Sequence, residues 1–263
     1  MTRREFVRAA GAALVLANFP IAQKIAHAAT PPLKYGGPTP NSDFYITSYG
    51  ATPQVDASQW RLKISGLVQE PREITYAEIL KLPQIHQTLT LECISNGPDG
   101  SAISNAEWVG TRLRPILDSV RVRPGAKYVA MHAADGYFTG VPIAEIMREE
   151  NFLPYLMNGQ PLPAAHGYPV RIFIPGKYGM KQPKWITAIE FVDKPFIGYW
   201  EQRGWSDSAW RKINSGFFTP RQESGIQRYF GTAVEAKSPV EIVGWALAGP
   251  SGVKRVEVST DGG

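Results

Sequence analysis

The apolar and polar positions along the chain change period several times, and each change marks an element. Trp60-Arg61-Leu62-Lys63-Ile64 alternates apolar with polar residues and runs into Gly66, the period-two pattern of a half-buried strand. Thr75-Tyr76-Ala77-Glu78 has the spacing of a capping box, and Ile79, Leu80 and Leu82 follow before Pro83 stops the run. This predicts a short helix. Leu89 to Ile94 predicts a strand with Cys93 at its end, and Thr111 is a candidate cap for a second short helix through Val120, weakened inside by Pro115. Tyr128 to His132 predicts a strand, and Pro142 to Glu150 a helix with proline in its first turn. Val170 to Ile174 and Trp185 to Val192 are strand candidates separated by Pro175-Gly176. With no internal repeat, the pattern predicts an α+β fold, largely β with short helices.

The two ends differ from this middle. Arg3-Arg4 precedes a small, apolar run from Ala9 to Ala22, too short to span a bilayer, and Ala26-His27-Ala28 places small residues where a signal peptidase cuts. The order resembles a twin-arginine export signal over residues 1–28. Twin-arginine export carries folded proteins, often with a cofactor inserted in the cytoplasm, so the expected location is the periplasm. From Ser238 the chain reads as strand (Val240 to Ala246), turn (Gly249 to Gly252) and strand (Val253 to Ser259), resembling the opening of an immunoglobulin-like β-sandwich. Such a sandwich needs roughly 100 residues. The expected division is therefore a signal at 1–28, a main domain at 29–232 and an incomplete sandwich at 233–263.

Composition narrows the chemistry. Hydrophobic residues make up 43% and charged residues 19% of 263, a globular balance. The net charge of +5 looks basic, but the signal holds four of the 28 basic and one of the 23 acidic residues, leaving +2 without it. A nucleic-acid partner thereby loses its main support. The lone cysteine excludes an intramolecular disulfide, a multi-cysteine zinc site, an iron–sulfur cluster held by this chain alone and covalent c-type haem.

That cysteine lies in Leu91-Glu92-Cys93-Ile94-Ser95-Asn96-Gly97. A strand ending in cysteine before a polar, glycine-containing turn sets a thiol at a sheet's rim, where a ligand can approach. On position alone, a lone cysteine is more often an inert core residue. A thiolate suits a soft transition metal, but one ligand cannot hold a metal, so other ligands would have to come from elsewhere. A second constellation runs from His166 to Trp185. Its four basic residues Arg171, Lys177, Lys181 and Lys184, with Gly176 and Gly179 between them, can cradle a phosphate. A solvated hairpin with ordinary surface charges fits the same spacing.

Taken together, Pro40 to Tyr45, Leu91-Glu92-Cys93, Ser104 to Gly110, Met157 to Pro163, His166 to Arg171 and Val256 to Gly263 resemble, in order, the molybdopterin domain of the sulfite oxidase family. The resemblance implies a sulfite-oxidase-type molybdopterin domain followed by a sandwich domain that forms a homodimer in relatives. It implies a molybdenum–molybdopterin cofactor with Cys93 as the protein's ligand to the metal. Phe44, Tyr45, Ile46, Thr47 and Ser48 would line the pterin. Asp135, His166, Arg171, Gln182, Pro183 and Lys184 would hold its polar groups and phosphate, and Tyr137 matches the tyrosine beside the metal's oxo ligand.

The implied reaction is two-electron oxygen-atom transfer with a small oxyanion or oxygenated molecule, electrons leaving one at a time. Residues 29–43 are too few for the haem domain that some relatives carry, so no haem is expected on this chain and a separate c-type cytochrome is the expected acceptor. Family members that oxidise sulfite surround it with arginines. The matching positions here are Thr47 and Pro98, which carry no charge, so the resemblance implies a substrate that is neutral or larger than sulfite. Arg112, Lys177 or a residue of a further C-terminal domain could substitute for them. The competing readings are a sulfite dehydrogenase, a reductase of sulfoxide-type compounds, and a non-catalytic periplasmic binding module of the same fold.

Overall fold

The computed structural model describes residues 37–97, 100–219 and 241–259. The export signal read at residues 1–28 and Pro98 lie outside the described residues. In chain order the strands are β1 (Arg61–Gly66), β2 (Arg72–Thr75), β3 (Gln84–Glu92), β4 (Ile103–Arg112), β5 (Tyr128–Ala133), β6 (Phe138–Pro142), β7 (Phe152–Met157), β8 (Gln160–Pro161), β9 (Ile186–Val192), β10 (Asn214–Thr219) and β11 (Val243–Leu247). Short helices α1 (Tyr76–Ile79), α2 (Arg114–Ser119) and α3 (Ile143–Ile146) lie between them. Among the described residues no helix is long and apolar enough to cross a membrane.

The strands form a five-stranded sheet in the order β2-β1-β9-β5-β6, a four-stranded sheet in the order β3-β4-β7-β8, and the pair β10-β11. Only β1 and β9 run parallel among these pairings. The period-two reading of residues 60–66 holds: Leu62 and Ile64 are fully buried while Arg61 and Lys63 face water. They join Ile189, Met131 and Val129 in the larger core. A second core, with Phe44, Trp108, Phe152 and Phe173, lies under the four-stranded sheet. Gly110 sits where β4 and β7 shift register, and a Cβ there would come within 2.3 Å of the Leu153 carbonyl oxygen. Only glycine lets these two strands approach so closely.

Four readings are corrected. Thr111 does not cap a helix: it is a buried residue near the end of β4, and α2 starts after Leu113, which caps through no side chain. Pro115 therefore falls in the first turn of α2, where its missing N–H costs nothing. The helix after Pro142 covers only Ile143–Ile146. Val170 to Ile174 is buried and extended but pairs as a strand only at a single bridge, Phe173 with Phe152. The Arg171 and Ile172 amides find the Pro154 and Pro183 carbonyls, and the Ile174 amide the Gln182 side chain. Finally, among the described residues Val253 to Ser259 has no strand pairing, and β11 pairs with β10, inside the stretch assigned to the main domain.

The capping box at α1 forms as its spacing predicts. Thr75 Oγ1 accepts from the Glu78 amide at 3.1 Å, and Glu78 Oε2 accepts from the Thr75 amide at 2.8 Å. Thr75→Ala is expected to lower unfolding free energy by about 1 kcal/mol, read as a lower denaturant midpoint at unchanged slope. An unchanged midpoint would show that α1 is held by its buried Ile79 alone.

Candidate functional site

The end of β3, the β5–β6 hairpin and the 166–184 segment converge on one cavity of about 150 Å³. Cys93 stands just past β3, held by its amide on the Ala102 carbonyl at 2.9 Å and by the Asn96 amide on its own carbonyl at 3.0 Å. Its half-buried Sγ lies 3.1 Å from Ser95 Oγ. The tight β5–β6 turn brings in Asp135 and Tyr137, with Asp135 Oδ1 accepting from the Tyr137 amide at 3.0 Å. The Tyr137 hydroxyl donates to the Met180 carbonyl at 2.6 Å, and burial first, then the nearby Glu201 charge, pushes its pKa well above the usual tyrosine value. Burial, reinforced by Cys93, does the same to Tyr45.

The 166–184 segment carries the charge. Arg171 is buried, its guanidinium 5.0 Å from the Phe173 ring and 5.5 Å from the Trp108 ring. It donates only to two backbone carbonyls, His166 and Gln182, each at 3.2 Å, and its Nε has no partner. Burial lowers its pKa to about 10. Lys184 donates to Ser48 Oγ at 3.1 Å and to the Ala165 carbonyl at 2.9 Å. Burial and then the Arg171 charge lower its pKa to about 8. Among the described residues neither cation makes an ion pair. Burial likewise holds the His166 ring near 4, so it is neutral at pH 7 and donates Nε2–H to the Asn41 carbonyl at 3.2 Å, leaving Nδ1 as an acceptor.

Of the residues singled out from sequence, Tyr45, Thr47, Ser48, Cys93, Asp135, Tyr137, His166, Arg171, Gln182, Pro183 and Lys184 lie on this wall. Phe44 and Ile46 do not. Phe44 is 2% exposed and packs edge-on against His166 and Trp108, and Ile46 is 56% exposed. The cradle of four basic residues reduces to Arg171 and Lys184. Lys177 is buried on Glu145, and Lys181 on Glu201 and Asp207, because carboxylates distant in sequence neutralise them. Arg112, which donates to the Glu149 carbonyl, and Lys177 also stand off the cavity wall, so neither replaces a cation there. Sequence reasoning missed the aromatic side, Tyr49, Trp200 and Trp205. The signal was the density of rings in Phe196 to Trp210, which loop periodicity does not interpret.

A sheet-rim thiol and two cations without ion pairs among the described residues thus line one cavity. Residues 49–200 match the family described as the oxidoreductase molybdopterin binding domain. The chain is 28% identical to sulfite oxidase of Arabidopsis thaliana over 86% of this chain and 68% of that protein. It is 35% identical to a candidate protein-methionine-sulfoxide reductase subunit, YedZ1, of Azospira oryzae, over 58% of this chain and 56% of that one. The sulfane dehydrogenase SoxCD of Paracoccus pantotrophus shares the fold, with TM-score 0.63 and 24% identity over 71% of this chain and 54% of that chain. The chain belongs to the sulfite oxidase family of molybdopterin-binding oxidoreductases, and it is an enzyme of that class.

The residues present fit the cofactor. Arg171 has an unpartnered, buried Nε and no carboxylate, and a phosphate at Arg171 and Lys184 would complete both. Cys93 supplies a soft sulfur donor on the same wall.

The His166 environment has a measurable consequence. The unfolded chain takes up a proton at the ordinary 6.5, whereas the folded ring resists it until about 4. Its contribution therefore destabilises the fold progressively as pH falls from 6.5 to 4, by about 3 kcal/mol at the lower end. His166→Gln is expected to shift the stability difference in the variant's favour by that order between pH 7 and 4, in urea unfolding of the cofactor-free protein. A pH-independent difference would mean that the ring titrates normally.

Proposed function

We propose that this chain is a periplasmic molybdenum oxidoreductase, exported folded by the twin-arginine route, that moves an oxygen atom to or from a small uncharged substrate. The observation that carries the reading is a single cavity lined both by Cys93 and by Arg171 and Lys184, cations that make no ion pair among the described residues. When bound, the cofactor supplies the oxygen-atom and two-electron chemistry. The chain does the rest. Cys93 holds the metal through its sulfur, with the Ser95 hydroxyl free to donate to a thiolate. Arg171 and Lys184 hold the phosphate, and neutral His166 offers Nδ1 to a donor on the pterin. Thr47, Ser48, Asp135, Gln182 and Pro183 shape the same wall. Tyr137 stays protonated, its hydroxyl held at a fixed point by Met180. Electrons are exchanged one at a time with a separate partner, a c-type cytochrome, and dimerisation would involve a full-length C-terminal domain.

The substrate follows from what surrounds the thiol. Tyr49, Trp200 and Trp205 join Ile94, Tyr137 and uncharged Thr47 there, and the two wall cations are assigned to the phosphate. Each charged hydrogen bond absent from a sulfite site costs about 1.5–3 kcal/mol, or about 10- to 10²-fold in affinity. An aromatic wall instead accommodates a neutral molecule with an apolar group beside the reacting atom. The Azospira relative makes sulfoxide reduction the second reading to test.

Cys93→Ser is expected to abolish turnover while leaving the unfolding free energy within about 0.5 kcal/mol of wild type, since serine keeps the size but not the thiolate. A variant retaining a tenth of the activity would take Cys93 off the metal. Steady-state kinetics of metal-replete enzyme distinguish the substrates. Sulfite with cytochrome c is expected to give weak saturation, and methionine sulfoxide with a reduced dye the higher kcat/KM. Rapid turnover with micromolar KM for sulfite would overturn the substrate argument.

A further inference from the structure

Lys181 is fully buried and does not itself line the cavity, yet its ammonium ties together β6 and the 201–207 loop, whose neighbouring residues do. Nζ donates to the Gly140 carbonyl of β6 at 2.7 Å, to Glu201, and to Asp207 Oδ1 at 3.3 Å. The Glu201 side chain is 2% exposed and accepts from the Thr139 hydroxyl of β6 at 2.9 Å. Its second oxygen is buried without a partner and packs where a Cβ on Gly198 would come within 2.4 Å. The absent side chain at Gly198 is what admits this carboxylate, and the tight fit leaves it no room to turn away.

The neighbours of the two residues give the pair its meaning. Lys181 follows Met180, whose carbonyl takes the Tyr137 hydroxyl at 2.6 Å. Glu201 follows Trp200, and the Trp205 amide donates back to the Trp200 carbonyl at 3.2 Å, so one turn carries both indoles. Tyr137, Met180, Trp200 and Trp205 all line the cavity. We propose that the buried Lys181–Glu201 ion pair is a positioning device for the substrate side of the cavity, fixing both the Met180 carbonyl that holds Tyr137 and the turn that presents Trp200 and Trp205. Both charges are buried, so breaking the pair leaves a charge out of water, and displacement of either element is opposed by the other. The inference rests on reading this cavity as the substrate site.

The test uses metal-replete enzyme and the double variant Lys181→Met/Glu201→Gln, which removes both charges and leaves neither orphaned. The expected result is a folded protein with wild-type molybdenum content, kcat/KM lowered by about 10²-fold, and tryptophan fluorescence more readily quenched by acrylamide. That rise in quenching is expected to vanish in a Trp200→Phe/Trp205→Phe background. Glu201→Asp, which keeps the charge but draws it back by one methylene, should give the same changes at smaller size if the double variant does not fold. Unchanged quenching and unchanged kcat/KM in a folded variant would overturn the proposal. Altered quenching in a protein whose wild type turns over no oxygen-atom substrate would support the positioning role and overturn the functional reading instead.

Discussion

Arg171 is a cation taken out of water and, among the described residues, given no carboxylate. Stranding a charge in this way is costly unless something else compensates it, and much of the surrounding structure reads as that compensation. The rings of Phe173 and Trp108 present their faces to the guanidinium. The 166–182 segment turns two carbonyls onto it. The segment has no sheet to support it, so Gln182 does so, accepting from the Ile174 amide at 3.1 Å and donating to the Lys177 carbonyl at 2.7 Å. These contacts leave the Nε without a partner, which the anion of the proposed cofactor would supply. The site is a fold with a deliberate deficit of negative charge.

The same logic explains why the other basic residues of this segment take no part. Lys177 and Lys181 lie within ten residues of Arg171, and both are buried, but each has its own carboxylate. Lys177 also sits 4.0 Å over the Trp210 ring. Paired, they are structural ties between the segment and the loops around it. Only the cations left unpaired face the cavity. Charge in the sequence therefore overstates charge at the site, and the substrate side of the cavity is correspondingly aromatic.

How much of this the sequence carried depends on whether the determining contact was local. The capping box of α1 lies within four residues, and the alternation of β1 is its own record of which face is buried, so both were legible. Val170 to Ile174 was not, because an apolar run buried on both sides looks alike whether its amides bond a strand or a loop. Thr111 and Pro115 were read as one helix's cap and interior, since nothing nearby marks where β4 ends. At the site, residues in recognisable order, Cys93, Tyr137, His166, Arg171 and Lys184, were found from sequence and do share a wall. The fates of Lys177 and Lys181 were set by Glu145, Glu201 and Asp207, 20 or more residues away, and no spacing rule reaches that far. Trp200 and Trp205 escaped for a related reason: a loop has no periodicity from which to infer its inward face.

The central claim is that Cys93 and the unpaired cations hold one molybdenum-bearing cofactor between them. The most direct measurement is molybdenum X-ray absorption on protein produced in cells that make the cofactor, comparing wild type with Cys93→Ser and with Arg171→Met. The account predicts stoichiometric metal in wild type, one sulfur neighbour fewer in Cys93→Ser at retained metal, and loss of the metal together with its pterin in Arg171→Met. Identical sulfur coordination in wild type and Cys93→Ser, or full cofactor retention in Arg171→Met, would contradict it.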